Sequence, residues 1–128
     1  MNGPMRILVV ERGRDYTKAL RRTRSGPSFV VDTAHDGFTA QVLAFGGEYD
    51  ASVLDLTLPG CDGPTLCHRL RGDGVDSPVL LIADPGAVGL LVMALQAGGT
   101  DFVFNPYATE ELSTRVHAAA RRYVQSRV

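Results

Sequence analysis

The side chains best placed to do chemistry directly follow short apolar segments of the sequence. Glu11 and Arg12 follow ILVV, Asp55 follows ASVL, and Asn105 follows DFVF. If these segments are parallel strands of one sheet, their carboxyl ends share one rim, which is where such sheets bind ligands. The carboxylates of Glu11 and Asp55 then converge beside a guanidinium, an arrangement that can hold a charged ligand or close an internal salt bridge. The alternative is that each side chain only caps its own strand in water.

The elements that must position these side chains follow from the hydrophobic pattern. Continuous apolar runs are typical of buried parallel strands, and stretches with helical spacing separate them. The predicted strands are 5–10, 28–32, 51–54, 78–83 and 101–104, and the predicted helices are 15–23, 37–46, 64–71, 87–97 and 109–123. This alternation predicts an α/β fold, a doubly wound (βα)5 domain with a five-stranded parallel sheet and helices on both faces.

Composition limits the class of protein. The 128 residues are 45% hydrophobic and carry 13 basic and 14 acidic side chains, which fits one compact domain and argues against a constitutive nucleic-acid binder. Cys61 and Cys67 are too few and too close together for a disulfide framework. Nothing resembles a signal peptide or a membrane-spanning apolar run. These features predict a cytoplasmic protein without membrane contact.

Three stretches carry a resemblance to a known family: ILVVER at 7–12, YDASVLDLTLPGCDG at 49–63, and PVLLIAD through NPY within 78–107. Residues 5–122 resemble the receiver (CheY-like) domain of bacterial two-component response regulators, which has a flavodoxin-like fold. Asp55 followed by LTLPGCDG is the most specific match, so the resemblance makes Asp55 the candidate phosphoacceptor. The length and the arginine-rich fifth helix are similar to those of the OmpR/PhoB winged-helix subfamily.

The resemblance also implies a chemistry for which this chain lacks several parts. In the family, the aspartate attacks a phosphoryl donor, two acids hold Mg²⁺, and a hydroxyl and a lysine bind phosphoryl oxygens. Here Glu11 keeps the first acid, but Arg12 replaces the second, Ala83 replaces the hydroxyl and Asn105 replaces the lysine. We therefore expect no enzyme activity, no cofactor, and weak or absent Mg²⁺ binding, with Glu11 and Asp55 as the residual candidate ligands. Asp55 is expected to serve mainly a structural role.

Two further positions match the family pattern. Phe102 occupies the place of the switch aromatic, which in the family swings toward the hydroxyl that Ala83 replaces here. Pro106 follows Asn105 as proline follows the family's lysine, which implies a cis peptide bond between them.

The fourth helix region, 85–100, contains no charged residue. Val88, Val92 and Leu95 fall on one stripe and are predicted to face the sheet. The opposite side then forms an apolar homodimer face with the fifth strand and fifth helix, independent of phosphorylation. That face is expected to comprise Leu90, Leu91, Met93 and the i,i+4 pair Glu111 and Arg115. The alternative is a helix buried more deeply by neighbouring loops.

These expectations combine into one functional interpretation and two alternatives. Residues 1–123 are predicted to be an atypical receiver that regulates a transcription factor, and residues 124–128 to begin a linker to an absent effector domain that contacts DNA. The resemblance implies a histidine kinase as partner. One alternative is a working phosphorelay receiver, phosphorylated on Asp55 with weakened chemistry. The other is a pseudo-receiver that senses a small-molecule ligand near the altered pocket or the fourth helix.

Overall fold

The computed structural model describes residues 3–13, 16–22 and 28–127. Strands and helices alternate along the chain. They are β1 (Met5–Val10), α1 (Tyr16–Arg22), β2 (Phe29–Ala34), α2 (Gly37–Gly46), β3 (Ala51–Asp55), α3 (Gly63–Gly72), β4 (Val79–Ala83), α4 (Val88–Ala97), β5 (Asp101–Phe104) and α5 (Thr109–Ser126). A short 3-10 turn, Pro85–Ala87, precedes α4. No helix in this described part is long and apolar enough to cross a membrane.

The sheet has the order β2-β1-β3-β4-β5 with every neighbouring pair parallel, which confirms the predicted fold. Alternate side chains of each strand enter the two apolar layers. On β1, Ile7 and Val9 pack with α1 and α5, whereas Leu8 and Val10 pack with α2, α3 and α4. Because both faces are covered, the strands are apolar on both sides, as the continuous runs indicated.

Some predicted boundaries are wrong by a few residues. β2 continues to Ala34 rather than ending at Asp32, because its pairing with β1 extends until Val10 lies beside Ala34. α5 continues to Ser126, so the linker start predicted at residue 124 falls within the last turn of this helix. The predicted ends of the first helix, residues 15 and 23, lie outside the described residues.

The orientation predicted for α4 is wrong for Val88, Val92 and Leu91. Leu95 packs partly buried against the core as predicted, but so does Leu90, which was predicted to lie on the dimer face. Leu91 is only 3% exposed and packs with Ala94 against the sheet, whereas Val88 and Val92, predicted to face the sheet, are exposed. α4 is apolar on nearly every side, so its hydrophobic pattern does not select which face is buried. Of the predicted dimer face, Met93 is exposed, with 57% of its surface accessible.

Candidate functional site

The carboxyl ends of β1, β3, β4 and β5 form the predicted rim. β3 pairs with β1 as far as Leu54 beside Val10, and with β4 as far as Asp55 beside Ile82. Glu11 therefore follows the end of β1, and Asp55 is the last residue of the neighbouring strand β3. Both carboxylates are buried, Glu11 at 5% and Asp55 at 2% exposure. The structure therefore brings together the carboxylate pair that the sequence predicted.

Asp55 is held by its own loop. Its Oδ1 accepts hydrogen bonds from the backbone N–H of Thr57 at 2.9 Å and from the Thr57 hydroxyl at 2.6 Å. Thr57 was not predicted as part of the site, although an Asp followed two residues later by a hydrogen-bonding residue is a known turn signal. One oxygen of the candidate phosphoacceptor is thus committed to a local turn.

Glu11 is held by the start of α1. Its Oε2 accepts from the Tyr16 backbone N–H at 3.1 Å, and its Oε1 accepts from the Thr17 hydroxyl at 3.2 Å. Burial raises the pKa of the Glu11 carboxyl, and the nearby charge of Asp55 raises it further, while the hydrogen bonds from Tyr16 and Thr17 lower it. The carboxylate of Glu11 is therefore partly desolvated and already occupied by donors.

Replacing Glu11 with Gln is expected to raise the melting temperature at pH 7 by a few degrees. Burial raises the pKa of Glu11 in the folded state above its ordinary value of 4.5. The protonated carboxyl therefore stabilises the fold fully at pH values below the ordinary pKa, and this stability is lost as the pH rises through the raised pKa. Glu11→Gln removes this loss and flattens the pH dependence. Thermal melts between pH 4 and 8 measure the effect. Glu48→Gln, at an exposed position, is the control, and an equal gain there contradicts the assignment to Glu11.

Arg12 does not pair with the carboxylates. Its side chain is exposed, and the ion pairs among the described residues involve neither Glu11 nor Asp55. The internal salt bridge considered from the sequence is therefore not formed with the two rim carboxylates. Arg12 nevertheless occupies the place of the second acid and leaves that place without a carboxylate.

The β4–β5 side of the rim carries an unpredicted network. The side-chain amide of Asn105 donates to Asp84 Oδ1 at 3.0 Å and to the Tyr16 hydroxyl at 3.3 Å. Ala83, immediately before Asp84, is completely buried and offers no hydroxyl. The Asn105–Pro106 peptide bond is cis. Asn105 thus donates to a neighbouring carboxylate and phenol and brings no charge to the rim.

The described residues of the rim do not fit a receiver magnesium site. Mg²⁺ requires several hard oxygen ligands in near-octahedral order. In the part of the chain that the structure describes, no three His, Cys, Asp or Glu side chains are grouped to hold a metal. Glu11 and Asp55 are the acidic candidates on the β1–β3 side, and Asp84 lies on the β4–β5 side; each already accepts hydrogen bonds from the protein.

The other predicted residues lie toward α4 and α5. Phe102 is half-buried and packs edge-on against Phe104 with ring centroids 5.3 Å apart. Arg115 pairs with Glu111 at 3.6 Å, as the spacing predicted, and also with Asp101 at 3.3 Å. Arg115 therefore links α5 to the start of β5.

Comparison with known proteins identifies this architecture. Residues 7–117 match the family described as response regulator receiver domain. The transcriptional regulatory protein TcrA of Mycobacterium tuberculosis is 42% identical over 118 residues, which cover 92% of this chain and 47% of the relative. Response regulator MprA of the same species is 40% identical over 118 residues, covering 92% of this chain and 51% of the relative. The chain thus spans about half the length of these curated relatives.

A solved structure shows the same fold. It is the receiver domain of the sensor histidine kinase PA1611 from Pseudomonas aeruginosa PAO1, which has a magnesium ion coordinated in its active site cleft. This domain matches with a TM-score of 0.77 and 26% sequence identity, over 92% of this chain and 98% of that one. Together with the family match over residues 7–117, these findings confirm the resemblance, and the chain belongs to the response regulator receiver domain family.

Proposed function

We propose that this receiver regulates a DNA-binding effector domain of the same protein, of the winged-helix type, while its own phosphorylation chemistry is impaired. The names of the relatives, a transcriptional regulatory protein and a response regulator, support the regulatory part. Their greater length supports a second domain beyond the receiver, reached through a linker that begins near the end of α5. In this proposal the receiver is a regulatory module and not an enzyme.

The hydrogen bonding of Asn105 is the main support for impaired phosphorylation. A phosphoryl group in transfer spreads negative charge over its oxygens, so cations and donors must be placed in advance. Asn105 instead donates to Asp84, at 3.0 Å, which adds a carboxylate on the side where the family has a lysine. With Arg12 exposed and Ala83 lacking a hydroxyl, the rim provides acceptors where the reaction needs donors.

Incubation with Mg²⁺ and phosphoramidate, followed by intact-mass measurement, tests this proposal. We expect no addition of a phosphoryl group to the wild-type chain under conditions that label an ordinary receiver. Asp55→Asn is the matched control. A phosphoryl group on the wild type that is absent from Asp55→Asn contradicts the impairment and favours the working phosphorelay receiver, with a histidine kinase as its phosphodonor.

We also propose a phosphorylation-independent homodimer through α4, β5 and α5. Its apolar part is formed by Val88, Val92 and Met93, which are exposed, whereas the buried Leu91 is excluded. The ion pairs of Arg115 lie at the flank of this face. Sedimentation equilibrium of the wild-type chain without phosphoramidate is expected to give a dimer. A monomer at protein concentrations of tens of micromolar contradicts this part of the proposal.

A further inference from the structure

A cleft of about 500 Å³ opens at the amino-terminal ends of the strands, at the opposite end of the sheet from the phosphoacceptor rim. Its walls come from the start of β1, the α2–β3 loop, the α3–β4 loop and the last turn of α5. Arg6, Phe45, Tyr49 and Tyr123 supply its larger side chains. Nothing in the phosphorylation chemistry of a receiver uses this end of the sheet, so the cleft is a separate candidate binding site.

The cleft is electronegative. Four carboxylates line it against two guanidiniums; the acids are Glu48, Asp50, Asp73 and Asp76. Glu48, Asp50 and Asp73 form no ion pair with any described residue. In addition α2, α3 and α5 end at its walls, and helix carboxyl ends carry partial negative charge. An anionic ligand is therefore disfavoured and a cation is favoured.

One wall already shows how a guanidinium is recognised. Arg6 lies over the ring of Tyr49, 5.0 Å from its centroid, and pairs with Asp32 at 3.7 Å. The Tyr49 hydroxyl donates to the same carboxylate at 2.7 Å. The guanidinium is thus held between an aromatic face and an aspartate, a favourable arrangement for an organic cation.

The opposite wall repeats the arrangement. Arg127 lies over the ring of Tyr123 at 5.0 Å and pairs with Asp76 at 3.7 Å, while the Tyr123 hydroxyl donates to Asp76 at 2.9 Å. Because Arg127 and Asp76 are largely exposed, an external guanidinium can compete for this aspartate and ring at small cost.

Two largely buried serine side chains also line the cleft. Ser52 is 2% exposed and Ser77 is 3% exposed, and the side-chain hydroxyl of neither makes a hydrogen bond with another described residue. Neither hydroxyl is an enclosed polar atom, since the one such atom without a partner among the described residues is His117 Nε2, so both hydroxyls are open to the cleft. The N–H groups of a bound cation are suitable partners, since a hydroxyl oxygen accepts hydrogen bonds.

We propose that this cleft binds an organic cation that carries a guanidinium group. The carboxylates without ion pairs supply the charge, the Tyr123 ring supplies an aromatic face once Arg127 is displaced, and the serine hydroxyls supply acceptors. The alternative of a small-molecule sensor placed its ligand near the rim or α4, whereas this proposal assigns the ligand to the opposite end of the strands. The proposal does not depend on whether Asp55 is phosphorylated.

NMR titration of the ¹⁵N-labelled chain at low salt tests the site with two probes. Agmatine represents a free ligand, and N-acetyl-arginine amide represents an arginine side chain of a protein partner. We expect saturable shifts of the amides of Tyr49, Ser52 and Ser77 with at least one probe, weakening as salt is added. The probe that binds more tightly identifies the source of the cation.

The double variant Glu48→Gln/Asp73→Asn is expected to bind about tenfold more weakly. Glu110→Gln removes an exposed carboxylate at the other end of the molecule and is expected to bind like the wild type. The ¹⁵N spectrum of each variant reports directly whether it is folded. The proposal is overturned if neither probe gives saturable shifts, if the double variant binds like the wild type, or if inorganic phosphate binds the cleft in their place.

Discussion

Replacing Arg71 with Met is expected to lower the free energy of unfolding by about 3 kcal/mol. The Arg71 guanidinium donates to the backbone carbonyls of Val75 at 2.7 Å, Ser77 at 2.6 Å and Gly98 at 2.8 Å. Its Nε donates to Gly98 a second time, at 3.2 Å. One cation at the end of α3 therefore holds both the α3–β4 loop and the α4–β5 loop. Methionine fills part of the volume but cannot replace these part-buried hydrogen bonds, and hydrogen bonds to a charged group contribute more than neutral ones.

Urea denaturation measures the loss, and Arg69→Met is the matched control. Arg69 lies on the same helix but is exposed, so its substitution is expected to change stability by less than about 0.5 kcal/mol. Arg71→Lys is expected to fall between the two, because one ammonium cannot span both loops. Equal losses in Arg71→Met and Arg69→Met contradict the assigned role.

The close packing around Arg71 also explains a glycine. Gly98 ends α4 with φ of 133°, and a Cβ there would lie 2.7 Å from the Arg71 side chain. The residue must therefore be both free of a side chain and tolerant of positive φ. Arg71 was not predicted from the sequence, because a guanidinium bound to backbone carbonyls leaves no pattern of partner residues to recognise.

The strands were predictable because burial on both faces leaves a continuous apolar run with few alternatives. The helix orientations were less predictable where the helix is apolar on several sides. On α2, helical spacing places Phe38, Val42 and Phe45 on one side, yet that side is exposed. The buried residues of this helix are Ala40 and Ala44. Small alanines allow a helix to approach a sheet closely, whereas the hydrophobic pattern ranks the larger side chains first.

The rim was predictable to the extent that strand ends determine it. Because β1 and β3 are parallel neighbours with Val10 beside Leu54, the next residues, Glu11 and Asp55, lie close together. The alternation of strands and helices was enough to predict that these two carboxylates converge. The roles of Thr57, Tyr16 and Asp84 were not predicted, because they depend on side-chain directions within loops. Each of them supplies or accepts hydrogen bonds that occupy the groups a phosphoryl transfer would use.

Restoring the three family residues in the variant Arg12→Asp/Ala83→Thr/Asn105→Lys is expected to raise the rate of phosphorylation by at least about 10²-fold. One well-placed donor toward developing negative charge contributes a factor of that order. Arg12→Asp supplies the missing acid for Mg²⁺, Ala83→Thr supplies the hydroxyl, and Asn105→Lys supplies the cation. Intact mass against time with phosphoramidate and Mg²⁺ gives the rate, and the same variant carrying Asp55→Asn is the control.

Asp84 decides whether the restored lysine reaches a phosphoryl group. The Asn105 amide now donates to Asp84 at 3.0 Å, so a lysine at this position is attracted to the same carboxylate. Adding Asp84→Asn to the restored variant is therefore expected to increase the rate further, because the ammonium loses its competing partner. If the restored variants fold and bind Mg²⁺ but remain unlabelled, the three substituted positions do not account for the impairment. The next cause to test is then the turn at Asp55, because the backbone N–H and the hydroxyl of Thr57 still donate to Oδ1 of the attacking carboxylate.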